Sequence, residues 1–247
     1  MANLLFRPAE LLSEIEALRN LSDSFLDPTS FQLEELAGEI QGLVTQKGGT
    51  LALEIPRERP LRTRLSEGEF EPANKSSNRR IFAEVSGIWE IKAAKYKVKD
   101  PKRPGKKAKE ELLIGFNGLA STVISVFDEG VVIPITCWKM ELGDANAPGC
   151  FFHTFASVDH GFPVPRHPNV FPTPMSAIEF ALGELFQDPW EKAVSGATDP
   201  PQRWRSIQGK RLKALLNWQM QIIENATTSP WFTLKARKPA ADIFLWP

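Results

Sequence analysis

Cysteine is scarce: only Cys137 and Cys150 occur in 247 residues, with no Cys-x-x-Cys pair. That argues against a disulfide-stapled scaffold and leaves only a weak case for a cysteine-based zinc module, with two small buried thiols as the expectation. Long apolar runs are missing too. No stretch approaches the ~20 residues that a membrane helix needs. The start, Met-Ala-Asn-Leu-Leu-Phe-Arg-Pro, lacks the basic opening and apolar run of a secretory signal. The expected address is therefore the cytoplasm, with no membrane partner, and the Asn225-Ala-Thr227 sequon carries no glycan there. There is no Gly-x-x-x-x-Gly-Lys-Ser/Thr, no Gly-x-Gly-x-x-Gly, no Gly-x-Ser-x-Gly and no His-Glu-x-x-His. Nothing of this kind implies a cofactor. Excess charge is absent as well: 30 basic residues balance 30 acidic ones, so the total implies no partner.

What is present is a sizeable apolar fraction, 42%, including 16 Phe and 7 Trp, which is enough for a core. The charges are unevenly placed. Residues 1–40 carry eight acids against Arg7 and Arg19, and residues 92–109 carry nine basic residues against Asp100.

Pro8, followed by Leu11, Leu12, Ile15 and Leu18 on one face, predicts a first helix. Thr29 and Gln32 have capping-box spacing ahead of a second stripe, Leu33, Leu36, Ile40, Leu43 and Val44. Residues 50–55 read as a strand and 56–79 as a long polar loop. Strand composition returns in 81–89, 112–127, 131–140 and 151–158, with a turn at Asp128-Glu-Gly130. Thr173-Pro174 opens a helix that Pro189 should stop. A last helix, about 204–224, has Leu212, Leu215, Leu216, Gln219, Ile222 and Ile223 as its stripe. The tail residues 231–234 and 244–246 are apolar enough to dock. Successive strands without intervening helices argue for an antiparallel meander. The expected fold is α+β: an antiparallel β-sheet (50–158) flanked by N-terminal helices (1–48) and C-terminal helices (173–226), in a single domain over 1–247.

All three histidines, His153, His160 and His167, lie in one short stretch. Histidine is the side chain most easily recruited for proton transfer or metal binding near neutral pH. A hairpin over 140–155 would bring Asp144 or Glu141 near His153, which suits a metal site or an acid-oriented base. The intervals of seven match no zinc motif, and a strand histidine between Phe151 and Phe155 is more often a hydrogen-bonded core residue.

The stronger candidate is the basic segment. Lys95, Lys97 and Lys99 occupy one face of an extended stretch, with Tyr96 and Val98 on the other. Lys102, Arg103, Lys106, Lys107 and Lys109 follow on a Pro/Gly-hinged loop. Such a loop beside a strand suits phosphate contacts that are salt-dependent and blind to sequence. The competing readings are docking onto an acidic protein and a lysine guard on a sheet edge.

The runs Trp138–Cys150, Pro163–Arg166 and Thr173–Gln187, with Leu216-Asn-Trp-Gln219 and Ser229-Pro-Trp231, resemble a group of uncharacterised bacterial proteins. The resemblance covers about residues 80–240. It implies Cys-His-Phe-His at the turn, and Phe151 stands where the first His would be, so a two-histidine metal pair is broken here. The group brings no activity. Some α+β proteins of this look travel with bacterial antiviral defence systems.

The expectation is accordingly a non-catalytic binding or scaffold subunit of a bacterial multi-protein assembly in antiviral defence. It would associate with other protein subunits, and its basic segment would contact nucleic acid or an acidic partner. The alternatives are a metal-dependent hydrolase or nuclease around His153, His160, Asp144 and Glu141, and a small-ligand sensor with a pocket between the sheet and the C-terminal helices.

Overall fold

Alternation along residues 81–93 decides which way the sheet faces. Ile81, Ala83, Val85, Trp89, Ile91 and Ala93 are buried, while the even positions from Glu84 to Lys92 include Glu84, Ser86, Glu90 and Lys92. A computed structural model describes residues 4–71, 79–98, 107–142, 152–157, 167–168, 173–230 and 243–246, with 117–118, 152–157 and 167–168 described by backbone alone. In it, β4 (Ile81–Val98) pairs antiparallel with β5 (Lys109–Asp128) over almost its full length. The meander continues through β6 (Thr136–Leu142), β7 (Phe152–Ser157) and β8 (His167–Pro168). On the other side of β4 lie β2 (Gly49–Ile55) and β3 (Leu61–Arg62). A short strand, β1 (Leu4–Phe6), pairs antiparallel with β5 at Gly115 and Ile114, and β9 (Ile243–Phe244) pairs parallel with β1. The fold class is α+β, with the sheet antiparallel except at the β1–β9 seam.

Three helices lie on the face that carries Trp89 and Ile91, α1 (Pro8–Ser22), α2 (Gln32–Thr45) and α3 (Pro174–Ser195), and α4 (Asp199–Glu224) packs on α1 and α3. Leu11, Ile15, Leu18, Leu33, Leu36, Ile40, Ile178, Leu182 and Trp204 join the inner sheet residues in one core. Gly87 sits at an inward position where a Cβ would lie 2.5 Å from the Ser121 carbonyl and 2.6 Å from the Trp89 ring. Its missing side chain lets the indole lie flat on the sheet, where Trp89 Nε1 donates to Thr122 Oγ1 at 3.1 Å.

Several expectations need correction. The loop 56–79 contains β3, and bridges tie Leu26 to Thr63 and Ser66 to Ile81. Residues 131–135 do not resume the strand, which begins at Thr136. Val131, Val132 and Ile133 form an exposed turn, because Gly130 takes φ 76° and the chain leaves the ladder there. Thr29 and Gln32 form no capping box. Thr29 donates to Asp27, and the Gln32 amide donates to the Arg59 and Pro60 carbonyls. At α3, Thr173 caps as expected, with Ser176 completing the box.

Pro189 kinks α3 at Gln187 rather than ending it, and the helix continues to Ser195. Proline has no N–H for the carbonyl four residues back, Leu185, and Ser66 Oγ donates to that carbonyl at 2.7 Å instead. In α4 the buried face is Pro201, Trp204, Ile207, Arg211 and Leu215, so the stripe is turned and Leu212 and Leu216 are exposed. Of the tail, Phe244, Leu245 and Trp246 dock, with Leu245 fully buried. Residues 231–234 lie outside the described part.

Candidate functional site

The β4–β5 hairpin has two halves, separated by an irregular register between Trp89 and Ile91. There the Leu119 N–H donates to Glu90 Oε2 at 3.0 Å. Beyond it the ladder runs Lys95↔Leu112, Tyr96↔Glu111, Lys97↔Glu110 and Val98↔Lys109. Paired residues share a face, so Lys95 and Lys97 stand on one side, as expected. Lys109 falls on the other, with Tyr96 and Val98. Lys95, Lys97, Lys107 and Lys109 are exposed, as is Lys92 nearer the base. Lys99, Lys102, Arg103 and Lys106 lie outside the described residues.

Register also supplies an acid that the basic run conceals: Glu110 is directly opposite Lys97. The face bearing Tyr96 and Val98 packs on Leu5, Leu113, Phe244 and Trp246. Arg7 closes that small cluster, its guanidinium 4.6 Å above the Trp246 ring and its Nε 2.8 Å from Glu111. The distal half is thus a braced arm, apolar on one face near its root and cationic toward its end.

In the histidine segment, Asp144, Cys150 and His160 lie outside the described residues. The β6–β7 register sets Glu141 opposite His153, as the hairpin reading required. Glu141 also forms an ion pair with Lys139. His167 is in β8, opposite Thr154. Cys137 is half-buried and lies opposite Ser157. Among the described residues no group of three or more His, Cys, Asp or Glu is placed to hold a metal ion.

The polar cluster that sequence reading missed is internal. Glu14 of α1 is fully buried and forms an ion pair with Arg211 of α4, which is 1% exposed. Glu14 Oε1 also accepts from Thr173 Oγ1 at 2.8 Å and from Gln208 Nε2 at 2.6 Å. The Arg211 guanidinium lies 5.1 Å over the Phe6 ring, and beyond the Glu14 ion pair its nitrogens find no hydrogen-bond partner among the described residues. Nearby, Trp204 Nε1 donates to Glu179 Oε1 at 2.5 Å. Burial pushes the Glu179 carboxyl above the usual glutamate range, the Trp204 bond opposes that, and the Glu14 charge adds to it.

The signal was available. Glu14 sits among Leu11, Ile15 and Leu18, and Arg211 among Trp204, Ile207 and Leu215, so each occupies an apolar face at helical spacing. Two opposite charges on two apolar stripes imply a buried pair. Beside the cluster, Phe6, Leu11, Glu14, Trp89, Ile91 and Met175 are among the residues that line an apolar cavity of about 30 Å³. It lies chiefly under α1 and α2 rather than against the C-terminal helices. That volume suits a water-sized guest, far below the hundreds of cubic ångströms of ordinary ligand pockets.

No family profile, curated protein or solved structure matches the chain. Among the described residues no helix is long and apolar enough to cross a membrane.

Proposed function

We propose that the protein is a non-catalytic binding subunit that grips the phosphate backbone of nucleic acid with the far end of the β4–β5 arm. One observation carries the reading. Lys95, Lys97, Lys107 and Lys109 are exposed at the end of a long, braced hairpin, and none of them forms an ion pair within the described residues. Hydrated, unpaired ammonium groups on a rigid support release counterions when they meet phosphates, at little ordering cost to the backbone. The setting proposed is a cytoplasmic multi-protein assembly of bacterial antiviral defence. That part rests on the resemblance of the 80–240 region.

Fluorescence anisotropy with labelled DNA and RNA, from low to moderate salt, tests this. Binding should weaken linearly on a log–log scale, and Lys95→Gln, Lys97→Gln, Lys107→Gln and Lys109→Gln should each lower the slope by about one unit. Affinity should be indifferent to base sequence, since none of these groups reads base edges. Failure of both nucleic acids to bind at low salt ends the proposal. Capture of an acidic protein by the same lysines would then support the docking alternative.

A further inference from the structure

Among the described residues, β2 is the longest strand paired on one side only. β3, β8 and β9 are two residues each, whereas β2 runs seven residues, Gly49–Ile55, paired with β4 on one side only. Among the described residues no backbone or side-chain group bonds to its outer edge. Such an edge is a template for another strand, and proteins usually blunt it with proline, lysine, a bulge or brevity. β2 has none of these within its span, Gly-Thr-Leu-Ala-Leu-Glu-Ile. Its register with β4 is unbroken. Thr50, Ala52 and Glu54 are exposed, while Leu53 and Ile55 remain under α2.

We infer that β2 pairs antiparallel with β2 of a second copy of this chain, about a two-fold axis at Ala52. The inference is independent of the nucleic-acid reading. The strand is self-complementary in that register. Ala52 meets Ala52 of the partner, the smallest side chain at the axis. Leu51 meets Leu53, so half-buried Leu51 gains apolar cover, and Thr50 meets Glu54. The charges also match. At the Gly49 end stand exposed Lys47 and Lys92, the latter directly opposite Thr50 in β4. At the Ile55 end stand exposed Glu54 and, on α2, Glu39. Antiparallel pairing brings the basic end of one copy to the acidic end of the other, twice over. Arg57 and Arg59 also stand just beyond this end, but Arg59 is held by Glu35, and around Glu39 burial, then the charges of Glu35 and Glu54, raise the carboxyl. A parallel or foreign strand would lack this reciprocal match.

Cross-linking of the full chain tests the register, and sedimentation equilibrium tests the association. Ala52→Cys should cross-link to itself under mild oxidation, because directly opposed Cα atoms in such a ladder lie about 4.5–5.5 Å apart, within disulfide range. Glu54→Cys should not, because its twin would be four residues away along the ladder. A mixture of Thr50→Cys and Glu54→Cys chains should. Ala52→Lys puts like charges at the axis and should weaken the dimer about tenfold or more, with an unchanged circular dichroism spectrum. A chain that stays monomeric at high micromolar concentration overturns the proposal. So does a dimer indifferent to Ala52→Lys, or one that cross-links through Glu54→Cys rather than Ala52→Cys. A foreign segment found on the edge in place of a second copy would overturn it equally.

Discussion

Two sets of charges in this protein follow opposite rules. Under the helices, Glu14 and Arg211 have lost almost all contact with water and are held by each other, by Thr173 and Gln208, and by the Phe6 ring. On the distal arm, Lys95, Lys97, Lys107 and Lys109 keep their water and form no ion pair within the described residues. The inner pair has already given up its hydration, and its position is fixed by what surrounds it. The outer lysines still have theirs to exchange. Only the second kind is available to a partner, although a sequence reads both as ordinary charged residues.

The sharpest break of this contrast is at Arg211. Arg211→Ala should destabilise the fold by about 3–5 kcal/mol, because it strands the Glu14 carboxylate in the core. The double change Glu14→Leu with Arg211→Met should recover most of that loss. Urea denaturation of the three chains measures both. If Arg211→Ala proves as harmless as a change on the arm, the inner pair is not buried in solution.

Next in size is Gly87→Ala, expected to cost about 1–3 kcal/mol by crowding the Ser121 carbonyl and the Trp89 ring. It should also disturb near-ultraviolet dichroism from the indole. A silent substitution would mean that the indole does not lie on the sheet.

Smaller is the pH effect of Glu179. Its folded carboxyl titrates above its unfolded value, so the folded state holds the extra proton in the window just above the ordinary glutamate pKa of 4.5. Stability should therefore fall as pH rises through that window, with the full penalty above the raised value. Glu179→Gln, which still accepts from Trp204, should remove this segment of the pH profile and raise the melting temperature at pH 7. Asp128 behaves oppositely. Its hydrogen bond with Arg79 lowers its carboxyl pKa, so that contribution is lost as pH falls through the lowered folded value. Least of all, Lys97→Gln should change stability by less than ~0.5 kcal/mol while lowering polyanion affinity. A large loss of stability there would erase the distinction between the two regions.

The sheet was legible because alternation is a local signal. Residues 81–93 declare their faces one by one, and Thr173-Pro174 declares a helix start in two residues. Three kinds of information were not local. β1 and β9 are too short to signal anything, and exist because residues far apart in the chain complete each other's ladder. The continuation of α3 past Pro189 needs Ser66, more than a hundred residues earlier, to bond the carbonyl that the proline leaves free. The acid across from Lys97 is invisible in a linear charge count, since Glu110 becomes its cross-strand neighbour only through the ladder. The inner pair was readable but went unread, because each charge looks like noise on its own apolar stripe until the two helices are brought together.

The irregular step between Trp89 and Ile91 has a consequence for how this chain can vary. Across it β4 advances by two residues and β5 by four, from Ala120 back to Phe116. The surplus is even, so the inside–outside alternation of the arm stays in phase with that of the sheet. Losing or gaining one residue at 117–119 would put the distal part of β5 out of phase with β4, turning Leu113 away from the Trp246 cluster and Leu112 and Glu110 toward it. Losing or gaining two would leave every face where it is. Length changes at this step should therefore be tolerated in pairs and rejected singly, a parity rule set by the ladder rather than by any one side chain.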